Sequence, residues 1–150
     1  MEEQILDAPT NVERKLNYAG FWIRVAAVFI DSILMYIVFF GVAFLSMDDI
    51  SSMATSMNIT LQLIFAAAGI LYFAGMESSS RQATLGKMAV GIKVGNAQGE
   101  QLSFANALGR YFAKIISAIT LYIGFMMAGW DSKKQALHDK IAGTYVFYAK

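Results

Sequence analysis

The stretch that decides the fold is Ile23–Leu45, IRVAAVFIDSILMYIVFFGVAFL. At about 1.5 Å of rise per residue it makes a helix about 34 Å long, enough to cross a hydrocarbon core of about 30 Å with some tilt. Its interior carries one acid, Asp31. An ionised carboxylate near mid-bilayer costs roughly 2.5–3.5 kcal/mol on the lenient insertion scale, so hydrophobicity alone does not put it there. Arg24 lies about two helical turns earlier, on the same side of the helix. An acid inside a span with a base at its mouth marks a candidate functional site. Phe21 and Trp22 stand at the entrance, where aromatic rings favour the interface.

Working outward, a second apolar run covers about Ile59–Met76, ITLQLIFAAAGILYFAGM. Ala66, Ala67, Ala68 and Gly69 offer close approach to another helix, and Gln62 is the strongly polar residue of its interior. The link between the runs, Ser46–Asn58, contains Asp48 and Asp49 but no Lys or Arg. The outer flanks carry Arg14 and Lys15 on one side, and Arg81, Lys87 and Lys93 on the other. The positive-inside rule puts both flanks, and the N-terminus, in the cytoplasm. Residues 1–17, with Glu2, Glu3, Asp7 and Glu13, lack the basic start of a signal peptide and are expected to be a cytoplasmic tail. Residues 18–150 are expected to form one membrane domain.

Residues 78–110 have the character of a cytoplasmic insert. Thr84 is predicted to cap a short helix that ends near Gly91, Ile92–Val94 to form a strand, Gly95–Gly99 a turn, and Ser103 to cap a second helix. Beyond Ser103, Phe104, Leu108, Tyr111, Phe112 and Ile115 recur at helical spacing, with Arg110 and Lys114 on a polar side. That pattern suits a helix lying along a membrane surface or entering it. A third apolar segment, about 112–130, has a core, Ile115–Trp130, at the short limit for a span. A full crossing would leave Lys133, Lys134, Lys140 and Lys150 outside. A re-entrant hairpin broken near Gly124 keeps both ends inside and is favoured. In the tail, 131–150, Ser132 or Asp131 is expected to cap a helix over Lys133–Ile141. Gly143 is expected to end that helix, and Thr144–Tyr148 to pair as a strand with Ile92–Val94. The fold class is an all-α integral membrane protein: two transmembrane helices, a third short or re-entrant apolar segment, and a small cytoplasmic insert of helix and β-hairpin.

Composition agrees. The 150 residues are 57% hydrophobic and 15% charged, against about 25% charged in soluble domains. A net charge of +1 implies no nucleic-acid partner. Without Cys and with one His, disulfides, Fe–S clusters, thiolate zinc and His-cluster metal sites are excluded, and no cofactor is expected. Gly86 and Gly91 have P-loop spacing, but Ile92 stands where Lys is required. Close packing and a helix stop account for both glycines. Met47, Met53 and Met57 cluster in the outer link, and thioethers can bind Cu(I). With no His or Cys nearby, gap-filling is the plainer role.

Three segments carry a family resemblance: YAGFWIRVAAVFID (Tyr18–Asp31), ATLGKMAVGIKV (Ala83–Val94) followed by GEQLSFANALGR (Gly99–Arg110), and KKQALHDKIAGTYV (Lys133–Val146). Together they resemble the RDD family, named for one arginine and two aspartates. Arg24 matches the arginine, Asp31 the first aspartate, and Asp139 is placed as the second. The resemblance implies a multi-pass protein of the bacterial plasma (inner) membrane and says little about chemistry. Ligand transport, cation/proton antiport and regulation have all been proposed within the family.

On physical grounds Asp31 lies about 12 Å along its span. It can hold a proton or a cation for exchange, or it can hydrogen-bond a neighbouring helix as a structural carboxyl; both readings stay open. Helical side chains lean toward the N-terminus, so Arg24 leans away from Asp31 and toward the cytoplasm. Asp139 is the expected partner, and snorkelling to lipid phosphates the alternative. His138 adjoins Asp139, but neighbours on a helix do not face each other, so a dyad is not expected; pH sensing is the other possible role. His138, Gln62 and Arg110 complete the candidate residues. The function expected first is an oligomeric transporter of a cation, a proton or a small ligand. Asp31 would carry the ion, Arg24 and Asp139 would gate it, and several copies would enclose the pathway. The alternative is a regulatory or adaptor protein that binds another membrane protein through 78–110. No nucleophile is paired with a base, so an enzyme is not expected.

Overall fold

Helix α1, Phe21–Leu45, buries only Ala27 and Asp31, while Phe29, Ile37 and Phe44 on its other faces are 64%, 64% and 73% exposed. The computed structural model describes residues 16–45, 59–120 and 123–149; the acidic tail before Leu16 and the outer link with its methionines lie outside them. Within that range α1 is long and apolar enough to cross a membrane. Helix α2 covers Ile59–Glu77, one residue beyond the expected run. The two helices are antiparallel. Asp31 meets Tyr72, and further along Phe39 meets Phe65 with ring centroids 4.7 Å apart.

Next come α3 (Leu85–Ala89), β1 (Ile92–Gly95), α4 (Phe104–Ile119), α5 (Ile123–Met126), a 3₁₀ turn (Met127–Gly129), α6 (Leu137–Ala142) and β2 (Tyr145–Tyr148). The insert follows its local chemistry. The Thr84 side chain accepts from the Lys87 amide and the Ser103 side chain from the Asn106 amide, so both serve as N-caps. Gly91 takes φ +71° just past α3, a conformation that glycine adopts without strain. β1 and β2 pair antiparallel, Ile92 opposite Tyr148 and Gly95 opposite Tyr145. Ala19 donates to the Val146 carbonyl at 2.8 Å, and Tyr148 donates to the Asn17 carbonyl at 2.9 Å. The segment ahead of α1 is thereby stitched to β2. A small apolar core of Ala19, Ala27, Ile92, Val94, Leu102 and Val146 joins this hairpin to the foot of α1.

Helix α4 is built inside out. It buries Ala107, Arg110, Ala113 and Ser117 and exposes Phe112, Ile115 and Ile119. An amphipathic helix in water does the reverse; here the polar side turns inward, and the apolar side is left exposed. After α4 the chain bends by 115° into α5 and the 3₁₀ turn. The break falls just before Gly124, whose missing side chain lets Ser117 and Leu137 approach to 3.0 Å of where a Cβ would stand.

The tail helix is shorter than expected. It starts at Leu137, not Lys133, with Ala136 as N-cap. Lys134 sits in the left-handed region at φ +51°, and its carbonyl accepts from Arg24 at 2.5 Å. That diverts the chain from helix. Asp131 caps a turn instead, accepting from the Lys133 and Gln135 amides. Gly143 at φ +62° ends α6 as expected.

Candidate functional site

Two polar nodes lie at the base of the helix pair. The first surrounds Asp31, which is 1% exposed. Its Oδ1 accepts from the Tyr72 hydroxyl at 2.8 Å and from the Gly86 amide at 2.8 Å. Its Oδ2 accepts from the Thr84 hydroxyl at 2.6 Å. The geometry follows from one tight crossing. A Cβ on Gly86 would stand 2.2 Å from the Ala27 carbonyl oxygen and 2.8 Å from the Asp31 Cγ, so only glycine lets the first turn of α3 reach the carboxylate. That amide is otherwise an orphan donor of the helix start, and the carboxylate satisfies it.

The second node ties five helices together. Arg24 of α1 forms an ion pair with Asp139 Oδ2 and also donates to the Ala19 and Lys134 carbonyls. Asp139 Oδ1 receives Arg110 of α4 twice, at 2.9 and 2.7 Å. Arg110 reaches on to Glu77 at the end of α2 at 2.6 Å. Glu77 takes Lys87 of α3 at 2.5 Å and Lys114 of α4 at 3.4 Å. Asp139 also accepts from the Ala136 amide at 3.1 Å, capping its own helix. Burial alone would raise the Asp139 pKa, but Arg110 and then Arg24 hold it well below the usual carboxylate range. Burial lowers the Lys87 ammonium to about 7 in spite of Glu77.

The expected residues are therefore divided between the nodes. Arg24 and Asp139 meet, and Arg110 joins them as a buried bridge rather than a solvated one. Asp31 stands apart from Arg24, with partners on α2 and α3. His138 is buried, its Nδ1 3.3 Å from the Ser117 hydroxyl and its ring 5.0 Å from Phe125. Its Nε2 lies 3.5 Å from Asp139 Oδ1, nearer than adjacent helix positions suggest yet at the outer limit of a hydrogen bond. Burial depresses its pKa to about 3, which favours the neutral ring. Gln62 lies roughly 22 Å along α2 from Glu77, outside both nodes. Six participants escape the sequence reading: Tyr72, Glu77, Lys87, Lys114, the Gly86 amide, and Thr84 as an Asp31 donor. Glu77 carried a signal, an acid at the end of an apolar run. The others become legible only once α3 is folded against α1 and the polar side of α4 turns inward.

Inside-out helices, an apolar α1 and buried charges at its foot define a small helical membrane protein. The chain belongs to the RDD family, whose model matches residues 18–143. It is 38% identical over 147 residues to the uncharacterized protein YxaI of Bacillus subtilis, covering 87% of this chain and 97% of that protein. It is 31% identical over 168 residues to the uncharacterized membrane protein YteJ of Bacillus subtilis, covering 100% and 93%. A proline-rich antigen homolog of Mycobacterium tuberculosis is 29% identical over 150 residues, covering 85% of this chain and 62% of that protein. No solved structure matches.

Proposed function

We propose that the protein is a membrane-embedded regulatory or adaptor subunit, and that its polar nodes are latches rather than an ion path. The observation that carries this is the saturation of Asp31. The carboxylate accepts three hydrogen bonds from its own chain, one of them at a helix start, where the local dipole favours the anion already there over an incoming cation. Contact with α3 leaves no room for a Cβ on Gly86, and so no room for a cation beside that face of the carboxylate.

In this reading α1 and α2 both cross the bilayer, the α4–α5 elbow is re-entrant, and the N-terminus is cytoplasmic. The start of α1 and the end of α2 meet through Arg110 at one level, which fits flanks on a single side. The latches hold α3, α6 and the hairpin rigidly against that end. The insert, 78–110, is then a preformed docking surface for another membrane protein.

Proteoliposomes loaded with a pH-sensitive dye test this directly. Wild-type protein under sodium, potassium or calcium gradients is expected to move no protons above empty vesicles. A cation-dependent flux that disappears in Asp31→Asn would overturn the latch and restore the transporter.

A further inference from the structure

Outside both nodes, an apolar groove of about 490 Å³ runs between the first turn of α1 and the 3₁₀ turn, walled by Phe21, Ile23 and Met126. Three aromatics on it are open: Trp22 at 79%, Trp130 at 66% and Tyr148 at 40% exposure. Such rings are unfavourable in water but suited to the level of lipid headgroups. The rim of the groove is cationic. Lys134 Nζ bonds the carbonyl of Gly129, itself a groove residue, at 3.0 Å; Lys133, its neighbour in the chain, stands 5.7 Å over the Tyr145 ring, outside the groove lining. The carboxylate of this loop, Asp131, is already taken by Lys140 at 2.6 Å. Among the described residues Lys133 and Lys134 therefore have no acid opposite them. Arg24, gripping the Lys134 carbonyl, fixes that lysine at the rim.

We infer that this groove binds one anionic phospholipid, an acyl chain in the slot and the phosphate headgroup at Lys134, with Lys133 next to it in the chain. Charge selects the occupant: a zwitterionic lipid fills the slot equally well but gains little from a cation with no acid opposite it among the described residues. The inference depends on α1 crossing the bilayer as proposed above, so the test separates the two.

The chain contains two tryptophans, Trp22 and Trp130, and both lie on the groove, so their fluorescence reports on this place alone. The full chain is reconstituted in phosphatidylcholine vesicles containing the same minor fraction of either brominated phosphatidylglycerol or brominated phosphatidylcholine. Brominated phosphatidylglycerol is expected to quench at lower mole fraction. The preference amounts to about fivefold in relative binding for each lysine, since a basic residue at an anionic surface contributes about 1 kcal/mol. Lys133→Gln with Lys134→Gln should erase the preference. Gly129→Leu, which keeps both lysines but fills the slot, should erase it too. Equal quenching by the two lipids, a preference that survives Gly129→Leu, or quenching by neither would overturn the site. A chain carrying Trp22→Phe, Trp130→Phe and Phe44→Trp reports separately on the body of α1. If that new tryptophan is also unquenched, the crossing of α1 fails as well; if it is quenched, only the lipid site does.

Discussion

Asp31 and Asp139 are both buried carboxylates, 1% and 0% exposed, and the chain satisfies them in opposite ways. Asp31 has neutral donors: two hydroxyls and a helix-start amide. Asp139 has two guanidinium groups, and through Arg110 a second acid, Glu77. The difference follows the number of elements that converge on each carboxylate. At Asp31, buried in the crossing of α1 with α3, a counter-charge would itself need desolvation, so hydroxyls and a backbone dipole are the cheaper partners. At the foot of the helices, where five elements converge, long basic side chains bridge several segments at once. One carboxylate positions α3; the other locks the whole base.

The largest effects should come from breaking the charged node. Asp139→Asn strands Arg24 and Arg110 with a neutral partner, and uncompensated buried charge costs about 3–5 kcal/mol. Asp31→Asn keeps the shape and asks three neutral donors to accept a poorer partner, at about 1–3 kcal/mol. Thermal unfolding in detergent micelles should therefore rank Asp139→Asn well below Asp31→Asn, with Arg110→Gln, which loosens both Glu77 and Asp139, lower still. If Asp31→Asn proves as damaging as Asp139→Asn, the two carboxylates are not satisfied in different ways, and a cation at Asp31 becomes the better account.

Much of the base was legible in the sequence because it rests on local signals. Thr84, Ser103 and Gly143 mark helix ends by side-chain and backbone chemistry, and the lean of helical side chains directs Arg24 toward Asp139. What stayed hidden depends on contacts between distant segments. Nothing near Lys134 announces a left-handed residue; the pull comes from Arg24, far away in the chain, and it shortens α6 by a full turn. Arg110 on the polar side of an amphipathic helix suggests solvent, and only the inward turn of α4 makes it the central bridge. Tyr72 is an ordinary aromatic of an apolar run until α3 brings its hydroxyl and Asp31 together.

A sharper test of the Asp31 node lies in Gly86. Its Cβ would collide with the Ala27 carbonyl, so Gly86→Ala must push α3 off α1 and lengthen the bonds to Asp31. Overpacking of this kind costs about 1–3 kcal/mol. Gly69, with nothing within 4 Å of its Cβ position, provides the control: Gly69→Ala should leave the melting temperature unchanged or slightly raised. Equal effects of the two alanines would mean that the close crossing of α3 and α1 is not what holds Asp31.

The last expected effect is a slope, and it concerns the residue that belongs to both nodes. The Lys87 amide donates to Thr84 Oγ1 at 3.3 Å, beside Asp31, while its ammonium pairs with Glu77. Burial lowers that ammonium from 10.5 to about 7. Between about pH 7 and 10.5 the unfolded chain then holds a proton that the folded chain has released, so stability rises with pH across that window, by at most about 1.4 kcal/mol per pH unit. Below about 7 both states are protonated and this contribution is flat. Melting temperatures of the wild type should climb from pH 7 to 9, and Lys87→Met should remove the climb because no proton remains to be released. Asp31→Asn should leave the climb intact, since Lys87 touches the Asp31 node only through its backbone. A slope that vanishes in Asp31→Asn would show instead that the two nodes titrate as one, and the separation between them would fall.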